Sequence, residues 1–365
     1  MRHHHLPAPP SQAKGWPWVC LSTDTKPFDK QPAVLWPRIT VVTPSYNQGQ
    51  YLEETIRSVL LQAYPNLEYI IIDGGSDDNS VEIIRKYEPW LTYWVSEPDA
   101  GQAAAINKGF ALASGDLLGW LNSDDLLLEG ALFHLAKAYR QASAAILFGD
   151  GVRFDEMTNR SLHFRACHID AATFEQASLQ FGMRWCQPGT YFPRWLYEQI
   201  GSFDESYRYL FDQDWLCRAL QFSHAHYVGQ SLAQIRLHPE SKTVAEARLW
   251  HAEGVAISHK YWPPQILENE NLKTALFEMM LAASNLEGYY LNRKKAFYCL
   301  ARAFFRAPQI ATRLRYWLLW LKLVLPVRLL HWIRRIWWSQ PHFRLRRNWA
   351  IRTNAPTKSS FVERV

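Results

Sequence analysis

The stretch that most constrains the fold is an apolar segment, Leu117–Leu121, that ends abruptly in a polar run. The run consists of Asn122, Ser123, Asp124 and Asp125. The apolar segment has the length and composition of a buried strand. In open α/β sheets, ligands bind outside the carboxyl ends of the strands, which is where this run falls. Because adjacent carboxylates repel, Asp124 and Asp125 indicate either a site for a hard cation such as Mg2+ or Mn2+, or the cap of a helix predicted from Leu127 onward.

Strand-like and helix-like segments alternate along the chain before this stretch. The predicted strands are Arg38–Thr43, Leu67–Asp73, Leu91–Ser96 and Leu117–Leu121, and the predicted helices are Tyr51–Gln62, Val81–Tyr87 and Gln102–Ala113. This order predicts a doubly wound, Rossmann-like α/β sheet with right-handed crossovers. No GxGxxG motif follows the first strand, which disfavours a nicotinamide-dependent oxidoreductase. Further strands are predicted at Ala145–Phe148, Gly189–Phe192 and His224–Leu237. A further helix is predicted at Trp215–Gln221, after the acidic pair Asp212 and Asp214.

Charge is unevenly distributed along the 365 residues. Of 40 Lys and Arg residues, 17 lie from Arg293 to the end, together with a single acid, Glu363. The remaining 23 basic and 33 acidic residues make the rest of the chain acidic. We therefore expect an acidic body and a basic tail with different partners. The five cysteines lack CxxC or CxxH spacing, which favours a reducing compartment, and residues 1–14 lack the apolar core of a secretory leader.

Composition divides the chain into three predicted segments. Residues 1–36 form an arm rich in Pro and Trp, which we expect to lay Trp16 and Trp18 onto the following domain. Residues 37–262 form the α/β domain, and residues 263–365 form a helical, basic region.

Six motifs within the α/β domain carry a family resemblance. They are TPSYNQ (Thr43–Gln48), IIIDGGSDDNS (Ile70–Ser80), SEPDAGQAAAINKG (Ser96–Gly109), WLNSDD (Trp120–Asp125), GSFDE (Gly201–Glu205) and DQDWLCR (Asp212–Arg218). In this order they resemble glycosyltransferase family 2, whose members are inverting, nucleotide-sugar-dependent enzymes of the GT-A fold. The resemblance covers about Pro37 to Thr243, and six ordered motifs are far more specific than any one of them.

The resemblance implies a pocket for the nucleotide-sugar donor. Its residues would be Thr43, Pro44, Tyr46, Asp73, Asp99, Asn107, Lys108, Asn122 and Ser123. Thr43, Pro44 and Tyr46 would form the first β–α turn and cradle base and ribose, while Asp73 would accept a hydrogen bond from the base. Asp73 could instead only start the GGSDD turn, and Lys108, a phosphate partner by resemblance, could be a solvated helix lysine.

The resemblance also implies the metal and the general base. Asp124 and His238 would hold Mn2+ or Mg2+ on the donor phosphates, although a satisfied loop histidine is the alternative for His238. The family usually has aspartate at position 122, where this chain has Asn122, which brings no charge.

Asp212 would be the base, because it precedes Arg218 by the family's spacing. Asp214 is the alternative base, and Asp125 and Asp214 are possible acidic partners. The glutamate that usually precedes the base is Phe211 here.

These residues predict an inverting transfer of one sugar from a nucleoside-diphosphate sugar, with a leaning to uridine taken from the family. The acceptor would be a hydroxyl of a glycan or lipid-linked precursor, as in polysaccharide biosynthesis. The QxxRW motif of processive members is absent, which favours addition of a single sugar. The rival hypothesis is a nucleotide-sugar-binding or scaffold protein that has lost catalysis, with Asn122 as its sign.

The sequence of the basic C-terminal region predicts a membrane surface as its partner. Leu314–Leu325 is apolar nearly all round, with Arg315 and Lys322 one heptad apart. Beyond Pro326, one face is apolar (Leu329, Leu330, Ile333, Ile336, Trp337) and the other basic (Arg328, His331, Arg334, Arg335). These runs are shorter than the roughly 20 residues of a membrane span. Trp and Arg at this spacing suit a helix in the headgroup layer of an anionic membrane, at the inner face of the cell membrane. Docking on the protein's own acidic body or on another subunit is the alternative, and nucleic acid is disfavoured.

Overall fold

The computed structural model describes residues 6–11, 13–18, 36–166, 185–238, 240–241, 247–261, 278 and 293–324. The chain divides into two units, residues 1–270 and 271–365. The predicted domain boundary between residues 262 and 263 falls outside the described residues and stays a prediction. The predicted tail face from Leu329 to Trp337 also lies outside the described residues.

The strands of the first unit are β1 (Ile39–Ser45), β2 (Leu67–Asp73), β3 (Tyr93–Ser96), β4 (Leu117–Trp120), β5 (Leu126–Leu127), β6 (Ile146–Asp155), β7 (Arg160–Phe164), β8 (Thr190–Pro193) and β9 (Ala225–Leu237). Its helices are α1 (Gly49–Leu60), α2 (Ser80–Tyr87), α3 (Gln102–Ala111), α4 (Ala131–Gln141), α5 (Arg194–Ile200), α6 (Phe211–Ala219) and α7 (Ala247–Tyr261). The second unit contributes α8 (Arg293–Arg306) and α9 (Leu314–Val324).

One sheet organises the first unit, in the order β3-β2-β1-β4-β8-β6-β9-β5, with β7 paired to β6. The strands β1 to β4 are parallel, which confirms the predicted doubly wound half. The strand β8 is antiparallel to both β4 and β6 and joins this half to the rest. Because the chain passes from β1 outward to β3 and then returns across β1 to β4, the order reverses between β1 and β4. Ligands of open α/β sheets bind at such a reversal.

Alternating side chains of the sheet build a core on each of its faces. From β1, Ile39 and Val41 join the core that α1, α2 and α4 cover, while Val42 joins the core that α3 and α6 cover. The helix α3 lies so close to the sheet that a Cβ on Gly109 would be 2.5 Å from Cγ1 of Val42. A glycine in the NKG segment is therefore required by helix–sheet packing.

Three boundaries differ from the sequence-based expectation. The helix predicted from Leu127 begins only at Ala131, because Leu126 and Leu127 form β5 and pair with β9. The strand β1 continues through Pro44 and Ser45, whereas the predicted strand ended at Thr43 and placed Pro44 in the following turn. The helix α6 begins at Phe211, four residues before the predicted start at Trp215, so that Asp212 as well as Asp214 lies in its first turn. In each case a tertiary pairing or a helix start overrides the local pattern.

The described part of the N-terminal arm, residues 6–11 and 13–18, contacts α1 and β5, as expected from its tryptophans. Trp16 donates its indole N–H to the carbonyl of Leu127 (2.8 Å), and Trp18 donates to Glu54 Oε1 (3.2 Å). Arg57 of α1, only 3% exposed, fixes the arm's backbone. Its guanidinium donates to the carbonyls of Pro7 (2.8 Å), Pro17 (3.3 Å) and Trp18 (3.1 Å) and stacks on the Trp18 ring (5.2 Å). Arm carbonyls thus satisfy the hydrogen-bond donors of this buried guanidinium.

Replacing Arg57 with Met should detach the arm and lower the free energy of unfolding by roughly 2–4 kcal/mol, since several buried acceptors lose their donor. Urea unfolding measures the stability. The rate of trypsin cleavage after Lys14, which should rise, measures the arm. Arg85→Met is the matched control, because Arg85 is exposed on neighbouring α2. Equal stability of the two variants would show that the arm adds nothing to the fold.

In the second unit, α8 and α9 pack against each other as an antiparallel pair. Tyr316 at the start of α9 donates to the carbonyl of Leu300 (3.3 Å), and Trp320 one turn later contacts Phe297 (5.5 Å between ring centroids). Their shared core consists of Ala296, Cys299, Leu300, Ala303, Ala307, Ile310, Tyr316 and Leu319. None of the helices in the described ranges has the length and apolarity that a membrane crossing requires.

Candidate active site

The polar run after β4 lies at the reversal of the sheet, and His238 meets it there. His238 follows the end of β9 directly, and its Nε2 lies 3.0 Å from Oδ2 of Asp124. The histidine side chain is 1% exposed and that of Asp124 is 19% exposed. The two residues predicted as metal ligands, 114 positions apart in sequence, are thus in contact.

The backbone of the Asp124 loop is held by α1 and β9. Thr55 of α1 donates its hydroxyl to the carbonyls of Ser123 and Asp125, both at 2.8 Å. Arg236 of β9 donates its Nε–H to the carbonyl of Asp124 (3.2 Å). A loop fixed from two sides can present a carboxylate in one position, as a preorganised ligand site requires.

Asp125 is an interior residue of this loop, only 4% exposed. Its Oδ1 accepts the backbone N–H of Arg236 (3.0 Å), and its Oδ2 accepts the amide of Asn122 (3.1 Å). Burial, together with the charge of Asp124, raises the pKa of Asp125 well above its ordinary value. Asp125 therefore links the loop to β9, and both of its oxygens are engaged.

The pair of Asp124 and His238 fits a divalent cation of the octahedral type. Neighbouring ligands about 2.1 Å from an octahedral Mg2+ or Mn2+ are about 3 Å apart, close to the observed separation. Within the described ranges, no group of three or more His, Cys, Asp or Glu side chains is placed to hold a metal. Such ions commonly take one or two protein ligands and complete their shell with water and substrate phosphates. One feature opposes strong binding: His238 Nδ1 is buried without a hydrogen-bond partner in the described structure, whereas metal-bound histidines usually have one.

Sequence reasoning missed the cluster around Arg236. This side chain forms ion pairs with Glu54 and with Glu156 (3.9 Å) and stacks on the ring of Tyr51 (4.8 Å). Tyr51 donates its hydroxyl to Glu156 (2.8 Å), and its ring packs on His238 (4.6 Å between centroids). One signal was available: Arg236 stands two residues before His238, so both side chains project from the same face of the chain at the end of β9.

Asn122 is fixed by two glutamines. Its Oδ1 accepts from Gln102 at the start of α3 (2.7 Å), and its amide donates to Gln187 (3.3 Å) as well as to Asp125. Gln187 in turn donates to the carbonyl of Trp120 (3.2 Å). Ser123 is buried and contributes its carbonyl to the bond from Thr55. The site thus contains an amide network at the position where the family usually places a charge.

The second edge of the candidate site lies after β2 and β3. Asp73 is fully buried and accepts three hydrogen bonds, from the N–H and hydroxyl of Ser76 (2.9 and 2.6 Å) and from the hydroxyl of Ser96 (2.7 Å). Asp99 is exposed, and its Oδ2 would be 2.9 Å from a Cβ on Gly74. The turns carrying Asp73 and Asp99 are therefore adjacent, at the same edge of the sheet as the Asp124 loop.

Comparisons with known proteins identify relatives of this domain. Residues 40–205 match the family model described as glycosyl transferase family 2. Two curated relatives are uncharacterised glycosyltransferases. The one from Mycobacterium tuberculosis is 47% identical over 90 residues, which cover 24% of this chain and 34% of the relative. The one from Rickettsia typhi is 27% identical over 216 residues, which cover 57% of this chain and 66% of the relative.

Residues 40–205 are a glycosyltransferase family 2 domain.

A solved structure supports the fold of this domain. The Staphylococcus aureus protein TarS, residues 1–349 in complex with UDP-GlcNAc, superposes with a TM-score of 0.51 at 16% identity, covering 74% of this chain and 82% of that chain. The fold is GT-A, as predicted. The chain spans between one third and two thirds of the length of the two curated relatives.

Within the glycosyltransferase domain, the predicted base-and-ribose cradle is arranged differently from the prediction. Thr43 and Pro44 are buried in β1, and Thr43 Oγ1 lies 3.1 Å from the hydroxyl of Tyr69. Only Tyr46, 63% exposed, projects beyond the strand end. Local sequence could not separate strand from turn here: proline is tolerated in β1 because the pairing with β4 ends at Val42, so that Pro44 lies at a one-sided strand end.

Asn107 and Lys108 face different partners. The Asn107 amide donates to the carbonyl of Phe203 (3.0 Å) and to Glu205 (2.9 Å), while its oxygen accepts from Phe203 N–H (3.0 Å) and Tyr197 (3.1 Å). These four bonds use the whole amide, so Asn107 positions the GSFDE loop, and its predicted place in the nucleotide pocket stays a prediction. Lys108 forms an ion pair with Glu97 and stays part-exposed, so it remains able to reach a phosphate.

The helix α6 lies beyond the family match and carries the candidate base. Phe211, the residue before Asp212, packs on Trp120 at the end of β4 (6.3 Å between ring centroids). This contact brings the start of α6 to the carboxyl end of β4. Asp212 is half-buried as a residue, but burial of its carboxylate among protein atoms raises its pKa to about 7, and the charge of Glu253 adds to the effect. A carboxylate with this pKa can accept a proton near neutral pH.

The carboxylate of Asp214, the alternative base, forms ion pairs with basic side chains. It is fully buried and pairs with Arg218 (3.1 Å) and Lys260 (2.8 Å), and it accepts the hydroxyl of Tyr261 (2.8 Å). Its role is to join α6 to α7.

Glu253, also missed by sequence reasoning, strengthens the same junction. It accepts the backbone N–H groups of Arg208 (2.8 Å), Tyr209 (2.9 Å) and Leu210 (2.9 Å) just before α6. The helix α7 thereby fixes the segment from which Asp212 projects.

Proposed function

We propose that the protein is an inverting glycosyltransferase that moves one sugar from a nucleoside-diphosphate sugar to a hydroxyl of a glycan or lipid-linked acceptor. The observation that carries the proposal is the contact between Asp124 and His238 at the reversal of the sheet. It joins two side chains suited to a divalent cation at the edge where Asp73 and Asp99 also lie. The fold and the family match make a nucleotide-sugar the ligand to expect at this edge.

Each residue of the site has a defined task in this proposal. Asp124 and His238 would hold Mn2+ or Mg2+, and the bound ion would supply positive charge to stabilise the departing nucleoside diphosphate. Asp73 and Asp99 border the space for the nucleoside, and Lys108 can exchange Glu97 for a phosphate oxygen. Asp212 takes the proton of the acceptor hydroxyl onto its carboxylate, on the face of the sugar opposite the leaving group.

The rival, a binding protein without catalysis, is favoured by one observation. Asn122 brings no charge and has its amide N–H groups engaged by Asp125 and Gln187. Both hypotheses predict donor binding, but only an enzyme turns the donor over. The carboxylate of Asp212 forms no ion pair in the described structure and accepts only backbone N–H groups, such as that of Gln213 (2.7 Å), and its pKa of about 7 supports the enzyme.

Donor binding and turnover are tested separately. We expect UDP-GlcNAc, the donor present in the TarS complex, or another UDP-sugar, to raise the melting temperature in the presence of Mn2+ and not with EDTA. Slow Mn2+-dependent release of UDP should accompany it, with water as the acceptor. Binding without any UDP release, in the presence of candidate acceptors as well, would favour the rival. The absence of metal-dependent binding for every nucleoside-diphosphate sugar would contradict both.

A further inference from the structure

Each helix of the second unit has an apolar stripe that its partner leaves uncovered. On α8 the stripe contains Phe297, Tyr298, Phe304 and Phe305, which are 45, 62, 40 and 83% exposed. On α9 it contains Leu314, Trp317, Leu318, Leu321 and Val324, which are 74, 55, 46, 52 and 68% exposed. Single exposed apolar side chains are ordinary, but a continuous helical row on two adjacent helices marks an interaction surface.

The two stripes lie on the same side of the pair. The helices are antiparallel. On each helix, the exposed stripe lies on the side reached by turning about the helix axis from the buried face, in the direction in which the helix winds from its N-terminus to its C-terminus. In an antiparallel pair this displacement puts both stripes on one side. The contact of Phe297 with Trp320 (5.5 Å between centroids) agrees, since it brings the edge of the α8 stripe against α9.

The charged side chains that α8 and α9 contribute are all basic. Lys294, Arg306 and Arg313 are exposed, and Arg302 lies 3.9 Å from Glu278. Between Arg293 and Val324 the sequence contains no Asp or Glu. Two copies of such a surface would repel each other, whereas an anionic partner would be attracted.

We propose that the second unit binds the surface of an anionic lipid bilayer through the exposed stripes of α8 and α9. A bilayer offers both an apolar layer for Phe, Trp and Leu side chains and a negative headgroup layer for the lysines and arginines. Nucleic acid would match the charge, but it has no apolar layer for the aliphatic residues Leu314, Leu321 and Val324. The proposal goes beyond the transfer reaction and holds whether or not the first unit is an enzyme.

The test is co-sedimentation of the full chain with vesicles of phosphatidylcholine, alone or mixed with phosphatidylglycerol. We expect binding to the mixed vesicles, weakened in part by high salt, because salt screens the charges but not apolar burial. The variant F305S/W317S/L321S should bind more weakly, by about tenfold for each side chain that enters the bilayer. Release of UDP from a UDP-sugar, measured without vesicles, should not change.

The matched control is F222S/W195S/L112S, which removes the same three residue types from exposed positions of the first unit. It should bind vesicles like the unchanged protein. Far-ultraviolet circular dichroism shows whether the triple variant keeps its fold. If it does not, the single variant F305S, at the most exposed position, replaces it in the test.

Three results would overturn the proposal. One is equal binding by the stripe variant and the control. Another is dissociation of a dimer by the stripe variant, seen in sedimentation equilibrium, with vesicle binding unchanged. The third is retention of the full chain by single-stranded RNA and not by anionic vesicles.

Discussion

Replacing Asp124 with Ala should abolish the Mn2+-dependent binding of a UDP-sugar and reduce sugar transfer by about 100-fold or more. Asp124 is the one carboxylate of the polar run after β4 whose side chain is part-exposed, and its Oδ2 is directed at His238 (3.0 Å). Loss of this carboxylate leaves the histidine as the sole candidate ligand. Isothermal titration with the donor, at fixed Mn2+ and with EDTA, measures the effect.

The control for this variant lies at the other end of the same strand. Asp116 precedes β4 as Asp124 follows it, and Asp116 accepts the backbone N–H of Arg38 (2.8 Å). Asp116→Ala removes the same charge from the amino end of the strand, so donor binding should persist. His238→Ala should weaken metal dependence less than Asp124→Ala does, because His238 Nδ1 has no described partner to support a metal-bound ring. Unaltered Mn2+-dependent binding in Asp124→Ala would remove Asp124 from the metal site.

Asp212→Asn should slow transfer by about 100-fold or more while leaving donor binding almost unaltered, since an amide cannot take the proton of the acceptor. For the unchanged protein, kcat/KM should rise with pH through about 7 and then level off, as the carboxylate of Asp212 loses its proton. The variant should lose this dependence. Single-turnover transfer between pH 5.5 and 8.5 would show both effects.

The same substitution should change stability in the opposite direction from activity. The folded state raises the pKa of Asp212 from 3.8 to about 7, so between these values it binds a proton more tightly than the unfolded chain does. Stability therefore falls as pH rises through this window and stays lower above it. Asp212→Asn should consequently raise the melting temperature at pH 8, with a difference that shrinks toward pH 4.

Asp214→Asn is the informative comparison. It should lower stability by roughly 3 kcal/mol, because a buried carboxylate that balances Arg218 and Lys260 is lost, although Lys260 is part-exposed and limits the effect. If Asp214→Asn abolished transfer without destabilising the protein, and Asp212→Asn were mild, the two roles would be reversed.

Local sequence patterns were sufficient to predict the strands and helices of the first half of the sheet. The strand LEYIIID was predicted with its observed bounds, Leu67–Asp73, because a run of buried apolar residues is flanked by turn residues on both sides. The helices α1 to α3 followed from apolar spacing, with differences of one or two residues at their ends. The helix predicted from Leu127 was wrong in its start, since pairing of β5 with β9 is a long-range contact that no local pattern reports.

The site was predicted less completely than the fold. The pairing of Asp124 with His238 followed from the family resemblance, because nothing within either segment indicates a partner 114 residues away. The tasks of Arg236, Glu253 and Asn107 could not be predicted, since each depends on which backbone groups the tertiary fold brings within reach. A polar residue in a motif can serve a ligand or a neighbouring loop, and only its complete set of hydrogen bonds decides between them.

The amide network around Asn122 limits how this domain can evolve. Restoring the family's usual aspartate would set a carboxylate against Oδ2 of Asp125, now 3.1 Å from the Asn122 amide, and beside Asp124. The oxygen of Gln187 would lose its donor in the same step. We therefore expect Asn122→Asp alone to destabilise the loop unless Asp125 or Gln187 changes as well. Positions 122, 125 and 187 are coupled through these hydrogen bonds, and a residue at one of them restricts which residues fit at the other two.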